Sequence, residues 1–417
     1  MNDTTDVAIV GGGPSGLAAA IALRNAGVAR VSVVDRESAM GGIPRHCAHP
    51  GYGIRDLHRV LSGPGYARHY VQAARRAGVH LRTESTVTGW APGAGLGLEV
   101  TSPGGREVLH ADAVLLASGA RERNRSARWV PGDRGAGVYT TGQLQQEVYF
   151  YRRPIGRRAL VVGAEHVSYS AVATLRHAGV SVVGLVTELS RQQSYAVFHL
   201  GAAAAFGVRP MTGVRVRALH GKPRLSGVEL ERLDDGRRVV VDCDTVVFTG
   251  DWIADNELAR LHDGIDVASA ALGPVVDTSG ATSMPGVFAA GNLCHPVEQA
   301  DIAALSGRHA GQAVARWLVE RDTRVAQAGV PIETDASLEW VHPGRVRSTG
   351  DLPARGRFIL RPNRFAAFTA LRVTQGERTL WHGRGRRLTP TRPTLIPAGW
   401  LRAVDLNGPA LRIGVGD

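Results

Sequence analysis

The sequence predicts an α/β protein made of two similarly built three-layer domains, the second inserted in the first, followed by a small C-terminal β domain. Three observations predict it. An apolar run, Val7 to Val10, leads into Gly11, Gly13 and Gly16, a small-residue helix, and a second apolar run, Val31 to Val34, that delivers Asp35. From residue 157 the same order recurs in RRALVVGAEHVSYSAVATLRHAGVSVVGLVTE. From about residue 331 the chain becomes short strand-like segments separated by Pro and Gly. A strand, glycine turn, helix, strand and acid in that order is the Rossmann-like plan for holding a dinucleotide, and two copies weigh more than either alone.

Each part of the first unit has a physical task. Gly11 permits the tight turn, Gly13 lets the backbone approach a pyrophosphate, and Gly16 lets helix and strand pack closely. The helix Leu17 to Asn25 closes at Gly27, and its N-terminus offers unpaired N–H groups and a positive dipole end to phosphates. Asp35 stands where a carboxylate accepts hydrogen bonds from ribose hydroxyls. Gly41-Gly42 reads as backbone freedom or close approach. His46, Cys47, His49 and His58 crowd the loop beyond. His46, Cys47 and His49 lack C-x2-C or H-x3-H ligand spacing, so no metal is assigned and the loop is read as facing a cofactor.

The segment GPGYARHYVQAARRAG, 63–78, predicts an amphipathic helix opened by a Gly/Pro turn. LGLEVTS and REVLHA flank a Pro-Gly-Gly turn at 103–105, a hairpin pattern, and the strand Ala113 to Ala117 runs into Ser118-Gly119. Residues 121–156, rich in Arg, Gly and Pro, read as a crossover. In the second copy Gly11, Gly13 and Gly16 become Gly163, Glu165 and Ser168, and Thr187 takes the place of the ribose-holding acid. Ser168 is expected only to crowd the helix–strand contact. Glu165 matters more, because a carboxylate about 4 Å from a phosphate charge costs on the order of 4 kcal/mol at a surface-like dielectric. A helix N-terminus returns only about 0.3–1 kcal/mol. Ordinary NAD(P) binding there is doubtful unless Glu165 turns away. An Asp235-Gly236 hairpin and a closing strand follow, repeating 98–119. Residues 275–318 return to the first domain, with a strand Val287 to Ala290, the pair Gly291-Asn292, and a long helix expected from His295.

Composition narrows the function. The chain has 417 residues and a net charge of +12, yet Lys222 is its one lysine. The positive charge is scattered arginine, which fits codon bias better than a nucleic-acid face, so no nucleic-acid partner is expected. Cys47, Cys243 and Cys294 form no CxxC pair. They are too few for an all-cysteine iron–sulfur or zinc site, and a disulfide scaffold is not expected. No apolar run approaches the ~18 residues of a membrane helix; GAAAAFGV at 201–208 is too short. A cleaved signal peptide would take the glycine-loop strand with it, so a cytoplasmic location is expected.

With these motifs in place, residues 5–320 resemble the two-dinucleotide-binding-domain flavoproteins of the pyridine nucleotide-disulfide oxidoreductase type. DVAIVGGGPSGLAAA with Asp35 is similar to that family's FAD motif. Val114-Leu115-Leu116-Ala117-Ser118-Gly119 resembles its "ATG" motif, and Gly286-Val287-Phe288-Ala289-Ala290-Gly291-Asn292 its "GD" motif, with Asn292 in place of the ribityl-holding aspartate. The resemblance implies FAD against Gly11, Gly13, Pro14, Ser15, Gly16, Asp35, Arg36, Gly41, Gly42, Val87, Ser118, Gly119, Gly291 and Asn292. GGIPRHCAHPGYGIRDLHR followed by GPGYAR looks like the α-subunit-type FAD-dependent oxidoreductases of opine oxidases, amino-acid dehydrogenases and glycerol-3-phosphate-dehydrogenase-associated complexes. In that group the chain works in a complex with a substrate-oxidising flavoprotein subunit. The cysteine-rich iron–sulfur region of opine-oxidase relatives is missing here, so any cluster must come from another chain.

These readings place an FAD-binding domain at 1–125 and 275–325, an NAD(P)-binding-like domain with a degenerate loop at 150–255, and an Arg-rich β domain at 331–417. The expected function is an FAD-dependent oxidoreductase, the electron-transferring subunit of an oligomeric or multi-subunit dehydrogenase acting on an amine, amino acid or glycerol-phosphate type of metabolite. Its partner would be the small-molecule substrate or a flavoprotein or iron–sulfur subunit. The alternatives are a stand-alone NAD(P)H-dependent reductase of a small acceptor and a non-catalytic FAD-holding or nucleic-acid-binding protein. His46 and Cys47 are the candidate catalytic residues, with His49, Cys294, His295 and Glu298 as further candidates near the cofactor.

Overall fold

The strand Asn2–Val10, β1, is the centre of the first sheet, and its composition follows from that position. It pairs in parallel with Val31–Val34, β2, on one edge and with the strand Gly105–Leu116 on the other. Both faces are covered, so Val7, Ala8 and Ile9 are fully buried, as a continuous apolar run in a parallel strand requires. The computed structural model describes residues 2–93, 95–196, 207–268, 272–320 and 328–416. Residues 201–206 of the apolar stretch noted above lie outside them.

The chain divides into two compact units. The first comprises Met1–Arg45, Pro50–Ala120 and Ala254–Asp417, and the second His46–His49 and Arg121–Ile253. In the first, the sheet runs His80–Arg82, β2, β1, Gly105–Leu116, Leu96–Ser102, Thr86–Trp90. The strand Gly105–Leu116 joins what the sequence suggested as two strands. Its first half pairs antiparallel with Leu96–Ser102, and its last residues pair in parallel with Val287–Ala289.

Helix α1, Pro14–Asn25, and the helix Ala300–Glu320 run the same way and pack backbone to backbone. A Cβ on Gly307 would lie 2.0 Å from Ser15 O, and one on Gly311 would lie 2.6 Å from Ala19 O. The small residues of both helices exist for this approach. Helix α2, Gly63–Arg76, starts where expected, with Ser62 Oγ accepting the Gly65 N–H. The long C-terminal helix begins at Ala300, not at His295. Residues 295–299 instead form a turn that Asn292 closes: its Nδ2 donates to Glu298 O and its Oδ1 accepts the Glu298 N–H, each at 3.0 Å.

The C-terminal segment folds as two sheets around one apolar core that includes Phe358, Leu360, Trp400 and Ile413. One sheet runs Arg345–Val346, Val330–Thr334, Leu411–Val415, Ala366–Gln375, Arg378–Leu388; the other runs Leu338–His342, Arg357–Pro362, Thr394–Pro397.

The second unit repeats the parallel plan. Its sheet runs Val138–Thr140, Thr245–Phe248, Arg158–Val162, Ser181–Thr187, Pro210–Thr212, with every pairing parallel. A three-stranded antiparallel sheet of Val214–His220, Gly227–Arg232 and Arg238–Asp242 accompanies it.

Candidate functional site

The three glycines of the first loop do different work. Gly11 has φ +111°, and a Cβ there would lie 2.4 Å from Ala117 O. A Cβ on Gly16 would lie 1.9 Å from Gly11 O. Packing within the chain demands both. Gly13 is different: its φ of −77° suits any residue, and the nearest atom to a Cβ would be Gly42 Cα at 4.0 Å. The space over the N-terminus of α1 is open there, and nothing in the protein explains the missing side chain. Beside it, Ser15 Oγ is buried without a hydrogen-bond partner among the described residues. An open cradle with an orphaned hydroxyl at a helix N-terminus fits a pyrophosphate, so the residues present suit FAD.

Other expected cofactor residues gather around this cradle. Gly41 N–H donates to Gly12 O at 2.7 Å, and Gly42, at φ +60°, stands over Gly13. Gly291 has φ +73° and abuts Ser15, whose Cβ would be 2.6 Å from an added Cβ. Asp35 accepts the Gly12 N–H at 2.6 Å and the Glu37 N–H at 2.8 Å. Burial pushes its carboxyl up, and these two donors pull the other way. A carboxylate has about four lone-pair sites, so two accepted bonds leave room for ribose hydroxyls. Ser118 and Gly119 are tied to one residue, Asp255: Ser118 Oγ donates to its carbonyl at 2.8 Å, and its N–H donates to Gly119 O at 2.9 Å. Arg36 is exposed and lies 3.7 Å from the Asp255 carboxylate. Val87 lies on the strand Thr86–Trp90, half-buried on the sheet's other core. Asn292, expected at the ribityl chain, spends its amide on Glu298 as described.

The second loop keeps the mechanics without the cradle. A Cβ on Gly163 would lie 2.0 Å from Thr249 Oγ1, so this glycine too is fixed by packing. Glu165 does turn, folding its carboxylate over Gly250, where an added Cβ would fall 1.2 Å from Oε1. Ser168 does more than crowd the contact. Fully buried, its Oγ accepts the Glu165 N–H at 3.2 Å and shares a 2.6 Å hydrogen bond with Thr249 Oγ1. The Glu165 N–H is thus satisfied from within the chain.

His46 and Cys47 are both buried and both meet one side chain, Gln145. The thiol donates to Gln145 Oε1 at 3.0 Å, and His46 Nδ1 lies 3.2 Å from the same oxygen. Gln145 Nε2 donates to Ser170 Oγ at 2.9 Å. No sequence motif pointed to Gln145, which arrives from 98 residues away. Glu122 also escaped the sequence. It is a half-buried carboxyl pushed up by desolvation, accepting the Gly142 and Gly250 N–H groups at 2.9 and 3.2 Å.

Among the remaining candidates, Cys294 and His295 are buried in the first unit. Burial pushes the Cys294 thiol up, which disfavours the thiolate. Burial pushes His295 down to about 4, and its ring meets His342 edge to face at 4.7 Å. Glu298 is pushed up to about 7 by burial, against the pull of Arg361 at 3.7 Å. Among the described residues no cluster of His, Cys, Asp and Glu is placed to hold a metal ion, and no helix is long and apolar enough to cross a membrane.

Comparison with known proteins agrees with this geometry. The family described as pyridine nucleotide-disulphide oxidoreductase matches residues 5–307. The benzene 1,2-dioxygenase system ferredoxin--NAD(+) reductase subunit of Pseudomonas putida is 27% identical over 379 residues, covering 85% of this chain and 83% of that one. Sarcosine oxidase subunit alpha of Corynebacterium sp. strain P-1 is 30% identical over 231 residues, 50% of this chain and 22% of that one. The crystal structure of T. acidophilum thioredoxin reductase superposes with a TM-score of 0.65 at 19% identity, over 76% of this chain and all of that one, which shows the shared fold. The chain belongs to the pyridine nucleotide-disulphide oxidoreductase family, whose members use FAD and NAD(P)H, and is an FAD-dependent oxidoreductase.

Proposed function

We propose that this chain is the electron-transferring subunit of a multi-subunit dehydrogenase acting on a small metabolite of the amine, amino-acid or glycerol-phosphate type. FAD is held at Gly11, Gly13, Pro14, Ser15, Gly16, Asp35, Gly41, Gly42, Ser118, Gly119 and Gly291, with Arg36, Val87 and Asn292 at its margins. The flavin supplies reversible electron and hydride chemistry when bound; the chain supplies binding, orientation and electrostatics. His46 and Cys47, joined through Gln145, are the groups placed to handle a proton.

One observation carries the reading: a Cβ on Gly13 would meet open space, while in the second loop Glu165 stands at that place and Ser168 Oγ accepts its N–H. An oxidoreductase that keeps one cradle and fills the other takes its electrons from a partner more readily than from NAD(P)H. The sarcosine oxidase relative, named as one subunit of an oxidase, supports a multi-subunit setting. A ferredoxin--NAD(+) reductase subunit among the relatives favours the second reading, a stand-alone NAD(P)H-dependent reductase. Anaerobic titration separates the two. The expected result is that neither NADH nor NADPH bleaches the flavin of the isolated chain at a catalytic rate, while a second flavoprotein or iron–sulfur chain co-purifies from native cells. Rapid bleaching by either nucleotide, with no partner present, overturns the subunit reading.

A further inference from the structure

The β domain sends two buried arginines into the first unit's Rossmann-like sheet region, and both reach the stretch 277–298 that brackets Gly291-Asn292. Arg347 Nη1 donates to Asp277 Oδ2 at 3.2 Å and to Thr282 O at 2.9 Å, ahead of the strand Val287–Ala289. Arg361 Nη2 donates to Pro296 O at 3.3 Å and Val297 O at 3.2 Å, behind it, and lies 3.7 Å from the Glu298 carboxylate. The Arg361 guanidinium also stacks on Trp340 at 5.0 Å. His342 of the β domain meets His295 of the same stretch edge to face, ring centroids 4.7 Å apart. Both arginine side chains are at most 6% exposed. Two guanidinium groups buried against carbonyl and carboxylate oxygens are an expensive way to join domains, and they are spent on one stretch of chain.

That stretch has a task. Gly291 rests on Ser15 in the first turn of α1, and Gly307 packs on the Ser15 carbonyl. The helix Ala300–Glu320 therefore runs about six residues, or roughly 9 Å, beyond the start of α1, past the glycine loop. A dinucleotide held at the N-terminus of α1 would have this turn beside it.

We propose that the β domain is a clamp on the cofactor-binding turn 291–300, and that Arg361 is its positioning residue. The inference rests on the reading that FAD occupies the first loop. Arg361 fixes the backbone of residues 296–298, Asn292 transmits that position to Gly291, and Glu298 is kept compatible with burial by the same guanidinium. Glu298 faces Arg361, Arg355 and Arg55 on the cationic side and Asp301 on the anionic side. Losing Arg361 leaves a buried carboxylate with weaker compensation and a turn free to shift.

The test is FAD titration of full-length apoprotein, followed by flavin fluorescence, with thermal unfolding of each variant alongside. Arg361→Leu is expected to weaken FAD binding about 10- to 100-fold, and increasingly as pH rises between about pH 6 and pH 9, because Glu298 must then ionise without its partner. Arg361→Leu combined with Glu298→Gln is expected to recover at least about threefold of that loss and to flatten the pH dependence. Arg361→Lys keeps the charge but not the planar fork, and is expected to lose about 3- to 10-fold; it decides the matter if the leucine variant does not fold. FAD affinity within twofold of wild type in a folded Arg361 variant overturns the clamp, as does a loss that is independent of pH and unaffected by Glu298→Gln. Wild-type apoprotein that takes up no FAD overturns the cofactor reading beneath it.

Discussion

The two glycine loops share a sequence plan and part company at one residue. At the first position they are mechanical twins: Gly11 leaves no room for a Cβ against Ala117, and Gly163 leaves none against Thr249. At the second, Gly13 faces open space while Glu165 folds over Gly250. The fingerprint thus mixes glycines that the fold needs with a glycine that the ligand needs. Only the latter is free to change when a ligand is no longer held. Ser168 shows a second difference, since the hydroxyl in place of the third glycine accepts the Glu165 N–H.

The largest expected effects separate the mechanical glycines from the ligand glycine. Gly16→Ala, Gly11→Ala and Gly163→Ala each force a methyl to within 2.4 Å of a neighbouring oxygen. They are expected to destabilise their units by about 3 kcal/mol or more. Gly11 and Gly163 also carry φ values of +111° and +137°, which alanine adopts only under strain. Gly13→Ala is expected to unfold within about 1 kcal/mol of wild type, because its backbone is ordinary and its surroundings are empty, while weakening FAD at least about tenfold. Thermal unfolding of the apoproteins, paired with FAD titration, checks both halves. If Gly13→Ala melts as early as Gly16→Ala, the division between fold and ligand glycines is wrong.

The second loop offers the reverse experiment. Glu165→Gly removes the carboxylate that lies over Gly250 and feels Arg128. The obstacle it presents to a phosphate is at most on the order of 4 kcal/mol. Restoring glycine is therefore expected to raise NADH or NADPH affinity by at least about tenfold, with a stability loss of about 1 kcal/mol for the packing given up. Equilibrium titration of both nucleotides reads the gain directly. An unchanged affinity would place the obstacle at Ser168 and Thr249 instead, and the comparison would sharpen to that pair.

How much of this was legible in the sequence depends on whether the cause is local. The strand Val31–Val34, helix α2 with its Ser62 cap, and the hairpin through 103–105 follow from periodicity and turn chemistry, and the structure has them at those residues. The start of the long helix was misread because the turn 295–299 is set by Asn292 bonding Glu298, a contact that no helical pattern reveals. Gln145 under Cys47 was invisible for the same reason, since 98 residues of chain separate the partners. The sequence marks the β domain only as Arg-rich, and Arg347 and Arg361 are buried against the first unit's sheet region, where carboxylates and carbonyls meet them.

The smallest expected effect tests the cradle most directly. Ser15 Oγ is buried, its residue 6% exposed, and it has no hydrogen-bond partner among the described residues. A buried hydroxyl without a partner costs the empty protein roughly 1–3 kcal/mol of lost hydration, which a ligand phosphate would offset by accepting its proton. Ser15→Ala removes the cost and the benefit together. The apoprotein is expected to melt at the same temperature or a few degrees higher, while FAD affinity falls about three- to tenfold, equivalent to one hydrogen bond of about 1 kcal/mol. The two effects have opposite signs, which a residue of purely structural importance does not produce, since its loss lowers both. In the second unit Ser168 supplies the contrasting case. Its hydroxyl already has Glu165 and Thr249 as partners, so Ser168→Ala is expected to lower the melting temperature and leave FAD affinity unchanged. If Ser15→Ala instead lowers the melting temperature as Ser168→Ala does, the first loop is as self-satisfied as the second and the cradle at Gly13 has lost its principal support.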